Sequence, residues 1–162
     1  MSVNRHLPHV YVLPEDDANR QVANGFLLES ALVDYRIRVL EEAGGWLETL
    51  DRFCSDYAPE MDRFPKRFMV LLIDFDGQSN RLDIVKGRIP PHLADRVFIL
   101  GSLEEPENLR PTLGSYETIG LSLAKDCRDG TDLIWAHKQL RHNVHELDRL
   151  RSHVRPILFP GA

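Results

Sequence analysis

The chain lacks most of the features that mark special classes of protein. It has only two cysteines, Cys54 and Cys127, so no disulfide framework can hold it together. It has no basic excess: 20 Lys and Arg stand against 25 Asp and Glu, a formal net charge of −5. That excludes a protein that coats nucleic acid through global positive charge and leaves room for a local basic patch. Long apolar runs are missing. Phe68–Ile73 is among the longest, and a membrane helix needs about 20 residues. The stretch Met1–His9 has no apolar signal-peptide core. Repeats, low-complexity tracts and Gly/Ser linkers are also missing; ten glycines and ten prolines are scattered between short elements. These absences predict one soluble, cytoplasmic domain over 1–162 with no membrane association. At 162 residues the chain can bury roughly two-thirds of its unfolded surface, enough for a core without disulfide or metal.

What is present alternates between two periods. His9–Leu13 is β-branched and aromatic and stops at Pro14, which predicts a strand. Asp16 and Asp17 then lead a helix over 18–28 with Val22 and Phe26 on one face, acids suiting a helix N-terminus. Gly25 weakens that helix by about 1 kcal/mol relative to alanine. Tyr35–Leu40 alternates and reads as a second strand, and Gly44-Gly45 breaks the chain before a helix over 45–57, with Pro59 and Pro65 on the way out. Arg67–Ile73 is continuously apolar after its first residue, as in a strand buried on both faces of a parallel sheet. A short helix over 81–86 and a fourth strand, Arg96–Leu100, follow. The rest reads as helical: a short turn over 104–109, Ser115 capping 116–127 with Gly130 closing it, and Thr131 capping a long last helix. That last helix carries a stripe of Ile134, His137, Leu140, Val144 and Leu147, and Ile157–Phe159 packs back as a tail.

This alternation predicts an α/β three-layer sandwich with a mainly parallel four-stranded sheet and a helical C-terminal region, 106–162, packed on it. Right-handed crossovers place all strand C-termini along one edge, where ligands of such sheets bind. Glu15, Asp74-Phe75-Asp76 and Ser102-Leu103-Glu104 each follow a strand, so three acidic clusters should meet on one rim. Asp74 and Asp76, at i and i+2 where a buried strand unwinds, can both turn toward a hard cation such as Mg²⁺, which takes oxygen ligands and keeps several waters. Asp76-Gly77 is also a common turn dipeptide, and a pair that merely caps the turn is the plain alternative. Glu15 gains weight only if the first and third strands are adjacent. Ser102 with Glu104 and Glu105 can equally be the cap and first turn of a short helix.

Taken together, the ordered set Glu15, Asp74-x-Asp76, Ser102-x-Glu104 resembles the Toprim catalytic domain of primases, topoisomerases and nucleases of the overcoming-lysogenization-defect type, over roughly residues 9–105. The resemblance implies a nuclease using Mg²⁺ or Mn²⁺, with Glu15, Asp74 and Asp76 holding metal and Ser102 and Glu104 supporting a second ion. In such two-metal cleavage the ions lie about 3.5–4 Å apart. Glu15, Asp74, Asp76 and Glu104 would be the catalytic set. Nucleic acid, DNA foremost, is the implied substrate, an ABC- or SMC-type ATPase the implied partner, and defence against phage or plasmids the implied role. The nuclease branch carries a second acid four residues after its glutamate; here that position is Asn19, with Asp16 and Asp17 nearby. The same 71–77 segment also resembles the first motif of haloacid-dehalogenase-type phosphatases, with Asp74 as nucleophile and Asp76 as acid/base. That family places Thr or Val next, where this chain has Gln78. A third possibility is a Toprim-like or flavodoxin-like interaction subunit without catalysis.

Other residues allow bland and sharp readings side by side. His142 and His145 are spaced to share a helix face, as two metal ligands can, but no third ligand is near in sequence, and a polar face with His137 is the simpler reading. Lys138, Arg141, Arg149, Arg151 and Arg155 make the C-terminal stretch locally basic, either a phosphate-binding surface or a solvated face of ion pairs. Cys54 and Cys127 read as structural thiols. Nucleophile-elbow, Walker and Rossmann motifs are missing.

Overall fold

A computed structural model describes residues 2–162. Four strands form one all-parallel sheet in the order β2-β1-β3-β4. They are β1 (His9–Pro14), β2 (Ile37–Val39), β3 (Arg67–Leu72) and β4 (Val97–Leu100). β1 pairs with β3 along its whole length, from His9 opposite Arg67 to Pro14 opposite Leu72. The expected α/β sandwich is therefore present, with the first and third strands side by side at its centre.

Alternation along the strands builds two cores. Val10, Val12, Val70, Phe98 and Leu100 face one side, where they meet α1 (Asp17–Phe26), α6 (Tyr116–Asp129) and α7 (Val144–Leu158). Tyr11, Leu13, Met69, Leu71, Val97 and Ile99 face the other. There they meet α2 (Trp46–Arg52), α3 (Ala58–Arg63) and α4 (Arg81–Arg88) through Leu50, Met61 and Val85, with Phe53 from the turn after α2 and Leu93 from the 3₁₀ turn before β4. A parallel sheet needs cover on both faces because every crossover lays its connection on one of them. A short α5 (Arg110–Leu113) leads into α6.

Gly25 sits inside α1 for a packing reason. A Cβ there would lie 2.2 Å from the Glu117 carbonyl oxygen, and one at Gly120 of α6 would lie 1.9 Å from that of Val22. The two helices cross backbone to backbone, and any side chain at either glycine would separate them.

Three elements differ from the sequence expectation. The second strand is only Ile37–Val39, because Asp34–Arg36 winds into a 3₁₀ turn. The helix expected over 45–57 continues to Arg63 through one π turn, Phe53–Tyr57. Pro59 lies in the first turn of the next segment, where a missing N–H is tolerated. The last helix begins at Val144 and not at Thr131, and it runs through Pro156 to include Ile157 and Leu158. The reason lies in Asp126. Its buried carboxylate accepts the Thr131 hydroxyl at 2.6 Å and the backbone N–H groups of Leu133, Ile134 and Trp135 at 3.1, 2.7 and 3.3 Å. One acid gathers these donors into a compact turn, and the segment does not continue as helix.

Candidate functional site

The C-terminal edge of the sheet carries the acids. After Pro14 the chain turns into α1, capped by Asp16, whose carboxylate accepts the Asn19 N–H at 2.9 Å. β3 continues its pairing with β4 past its end: Ile73 N–H donates to Leu100 C=O, Phe75 N–H to Ser102 C=O and Gly77 N–H to Leu103 C=O. Alternate N–H groups of a strand point to opposite sides, so Asp74 N–H points toward β1. There β1 has already turned away, and the Glu15 carboxylate takes its place, accepting that N–H at 2.5 Å. Loss of the ladder partner thus explains why an acid sits at that strand end.

Asp74 is buried beside it. Its Oδ1 accepts a hydrogen from the Asn19 side-chain amide at 3.0 Å, and the same amide nitrogen donates to Asp16 Oδ1 at 2.9 Å. Asn19, only 2% exposed, therefore bridges two carboxylates. A carboxylate at this position has no hydrogen to give. Burial raises the pKa of Glu15 from 4.5 to about 7, against the pull of the Asp74 N–H and with added repulsion from Asp16 and Asp76. Burial likewise raises Asp74 from 3.8 to about 7, against the pull of Asn19 and with repulsion from Glu15, Asp16 and Asp76. Burial therefore holds both acids protonated up to near neutrality, with Glu15 adding to the shift of Asp74.

Asp76 is turned differently. It takes a left-handed conformation, φ +48°, before Gly77 at φ +68°, and its half-exposed carboxylate pairs with Arg81 at 2.9 Å. The same Arg81 nitrogen donates to the Asp74 carbonyl at 2.7 Å. The guanidinium lies over the Trp46 ring, 4.4 Å from its centre, and Arg81 is only 8% exposed. Ser102 is buried one strand over. Glu104 is exposed, and Gln139 holds it from both sides, accepting its N–H at 2.9 Å and donating to its carboxylate at 3.0 Å. Neither Ser102 nor Glu104 shares a hydrogen bond with Glu15 or Asp74.

Glu15 and Asp74 are thus brought together, Asp76 stands close enough to perturb both, and the Ser102–Glu104 segment lies on the neighbouring strand end. Among the described residues, no three or more His, Cys, Asp or Glu side chains are gathered into a metal cage. Carboxylates are the ligand type that an oxygen-seeking cation completed by water takes. Glu15 Oε1 and Asp74 Oδ2 accept no hydrogen bond and are not sealed from solvent.

The C-terminal histidines and cations are dispersed. His142 lies in the 3₁₀ turn Arg141–Asn143 and His145 in the first turn of α7, so they do not share one helix. The His142 ring packs edge-on against Phe75, with centroids 5.1 Å apart, and burial holds its pKa below the ordinary value. Arg149, Arg151 and Arg155 are tied to Glu146, Asp132 and the Arg128 carbonyl. Only Lys138 and Arg141 of the basic stretch are fully exposed.

Arg81 and Trp46 were not singled out by the sequence. An arginine opening a helix is one available clue, since a cation is unfavourable at that end and asks for a partner. No protein-family model, curated protein or solved structure matches this chain.

Proposed function

We propose that the chain is a divalent-metal-dependent enzyme of the Toprim nuclease type, acting on nucleic-acid phosphodiesters with Mg²⁺ or Mn²⁺. The observation that carries this reading is the Glu15–Asp74 pair, buried at adjacent parallel strand ends with both acids titrating at about 7. Two buried acids that resist ionisation beside each other gain most from a cation, which replaces the protons they hold. A bound cation supplies Lewis acidity and an activated water. Glu15 and Asp74 hold it, the backbone N–H of Asp74 orients Glu15, and Asn19 orients Asp74. Asp76 would join through Oδ1 while its Oδ2 stays on Arg81, and Ser102 with Glu104 would serve a second ion. DNA as substrate, an ABC- or SMC-type ATPase as partner, a cytoplasmic setting and a role in phage defence belong to the same proposal.

A second reading, an interaction module without catalysis, is favoured by how fully the acids are engaged by protein: Asp74 by Asn19, Asp76 by Arg81 and Glu104 by Gln139. The phosphatase-like reading with Asp74 as nucleophile is separated by assay of a generic aryl phosphate. The deciding experiment is calorimetric Mn²⁺ titration in buffers of different ionisation enthalpy, with cleavage of labelled single- and double-stranded DNA and RNA. The proposal expects metal binding with proton release near neutral pH, lost in Glu15→Gln with Asp74→Asn. No binding at millimolar Mn²⁺ overturns it; binding without cleavage in any mixture moves the reading to the interaction module.

A further inference from the structure

We infer that Arg81 is the phosphate-binding residue of this site, which deepens the proposed function and rests on it for the phosphodiester class. A guanidinium carries five N–H donors in a planar fork. The two on Nη1 face the Asp74 carbonyl and the Asp76 carboxylate at 2.7 and 2.9 Å. Nε and Nη2 donate to no protein acceptor, yet they are not sealed from solvent. The Trp46 ring covers one face of the plane at 4.4 Å. The group is therefore fixed in position by its inner edge and by stacking. Its outer edge, three N–H groups in one plane, remains open.

That edge matches two oxygens of a phosphoryl group, which arginine recognises in bidentate fashion. Arg81 is only 8% exposed, yet only Nη1 of its guanidinium is spent on protein acceptors. The position adds meaning. Arg81 touches both aspartates of the Asp74-x-Asp76 motif and is among the charges that bear on Glu15. A phosphoryl group on the open edge therefore lies beside the Glu15–Asp74 pair, where a cation would share it. Lysine would keep the charge and lose the fork.

The test measures binding of inorganic phosphate and of a labelled, phosphorothioate-linked DNA oligonucleotide to the full chain. Two conditions are used: about pH 6 without metal, and about pH 8 with Mn²⁺. Both anions are expected to bind wild type. Arg81→Gln is expected to lower oligonucleotide affinity at least about tenfold and Arg81→Lys several-fold, with Mn²⁺ binding retained. Circular-dichroism spectra and thermal melts of both Arg81 variants, expected to match wild type, guard against a folding defect at position 81. Wild-type anion affinity in both Arg81 variants overturns the inference, as does absence of anion binding to wild type in both conditions. Phosphate binding without oligonucleotide binding overturns the phosphodiester assignment. Absence of Mn²⁺ binding ends the metal reading alone, because the metal-free arm still decides Arg81.

Discussion

Replacing Asp74 with asparagine should make the protein more stable at alkaline pH and should flatten its pH dependence. The substitution keeps an oxygen to accept the Asn19 amide and removes the charge. In wild type the folded pKa of both Asp74 and Glu15 is about 7, against unfolded values near 3.8 and 4.5. Between these values the folded chain binds more protons than the unfolded chain, so stability falls as pH rises through the window. From about pH 5.5 to about pH 8.5 the unfolded acids stay ionised while the folded ones go from mostly protonated to ionised. That transition costs roughly 2 kcal/mol per carboxyl. Asp74→Asn removes its own share and relieves part of Glu15's, because Asp74 no longer repels it.

His9 works in the opposite direction below about pH 6.5, since burial lowers its folded pKa and stability gained from it rises with pH. The informative quantity is therefore the difference between variant and wild type, in which His9 cancels. Urea unfolding with chelator present, at both pH values, should show Asp74→Asn gaining about 2 kcal/mol or more on wild type across the window. Equal pH dependence in the two proteins would refute the claim that burial holds this acid protonated toward neutrality.

Other expectations concern the frame around the site. Gly120→Ala should destabilise the protein by about 3 kcal/mol, because its Cβ would meet the Val22 carbonyl at 1.9 Å and α1 cannot retreat without leaving the sheet. Gly87→Ala, whose Cβ meets nothing within 4 Å, should be neutral or up to about 1 kcal/mol more stable; thermal melts of both check the contrast. Asp126→Ala should cost roughly 2–4 kcal/mol by stranding the N–H groups of Leu133, Ile134 and Trp135, with hydrogen exchange speeding first over 131–135. Glu104→Ala loses its Gln139 bond and about 1 kcal/mol; under the proposed function cleavage also falls steeply while one Mn²⁺ still binds, and wild-type cleavage would make the Ser102–Glu104 correspondence accidental.

The strands that position the site were legible because their composition leaves little choice. His9–Leu13 and Phe68–Ile73 are β-branched and apolar without the gaps a surface helix requires, and acids directly after them stand out. What escaped were features set by partners distant in sequence. The 131–143 segment carries helical spacing in Ile134, His137 and Leu140, but Asp126 gathers its N–H groups from outside that window. Arg81 and Trp46 are 35 positions apart, and their stacking depends on how two crossovers on the same face end. Pro59 was misleading as a terminator because a π turn can precede it, and no local composition announces that turn.

Asn19 shows how the frame reaches the site. It lies on α1, and α1 is held against α6 by the Gly25–Gly120 crossing, which fixes the separation of the two helices to within the size of a methyl group. In that position α1 carries the Asn19 amide between Asp16 and Asp74. Where the Toprim nuclease pattern has a carboxylate, this chain has a donor, so position 19 gives Asp74 a hydrogen bond in place of a further repelling charge. A carboxylate there would add a third buried negative charge to a pair already titrating at about 7 and would require a cation for the folded state to tolerate it. With asparagine the pair can fold empty, kept protonated by burial, and under the proposed function would accept a cation afterwards. The same substitution removes an oxygen ligand on the α1 side, so under the proposed function the first cation is held mainly by Glu15 and Asp74, and any second must be held from the β4 side by Ser102 and Glu104.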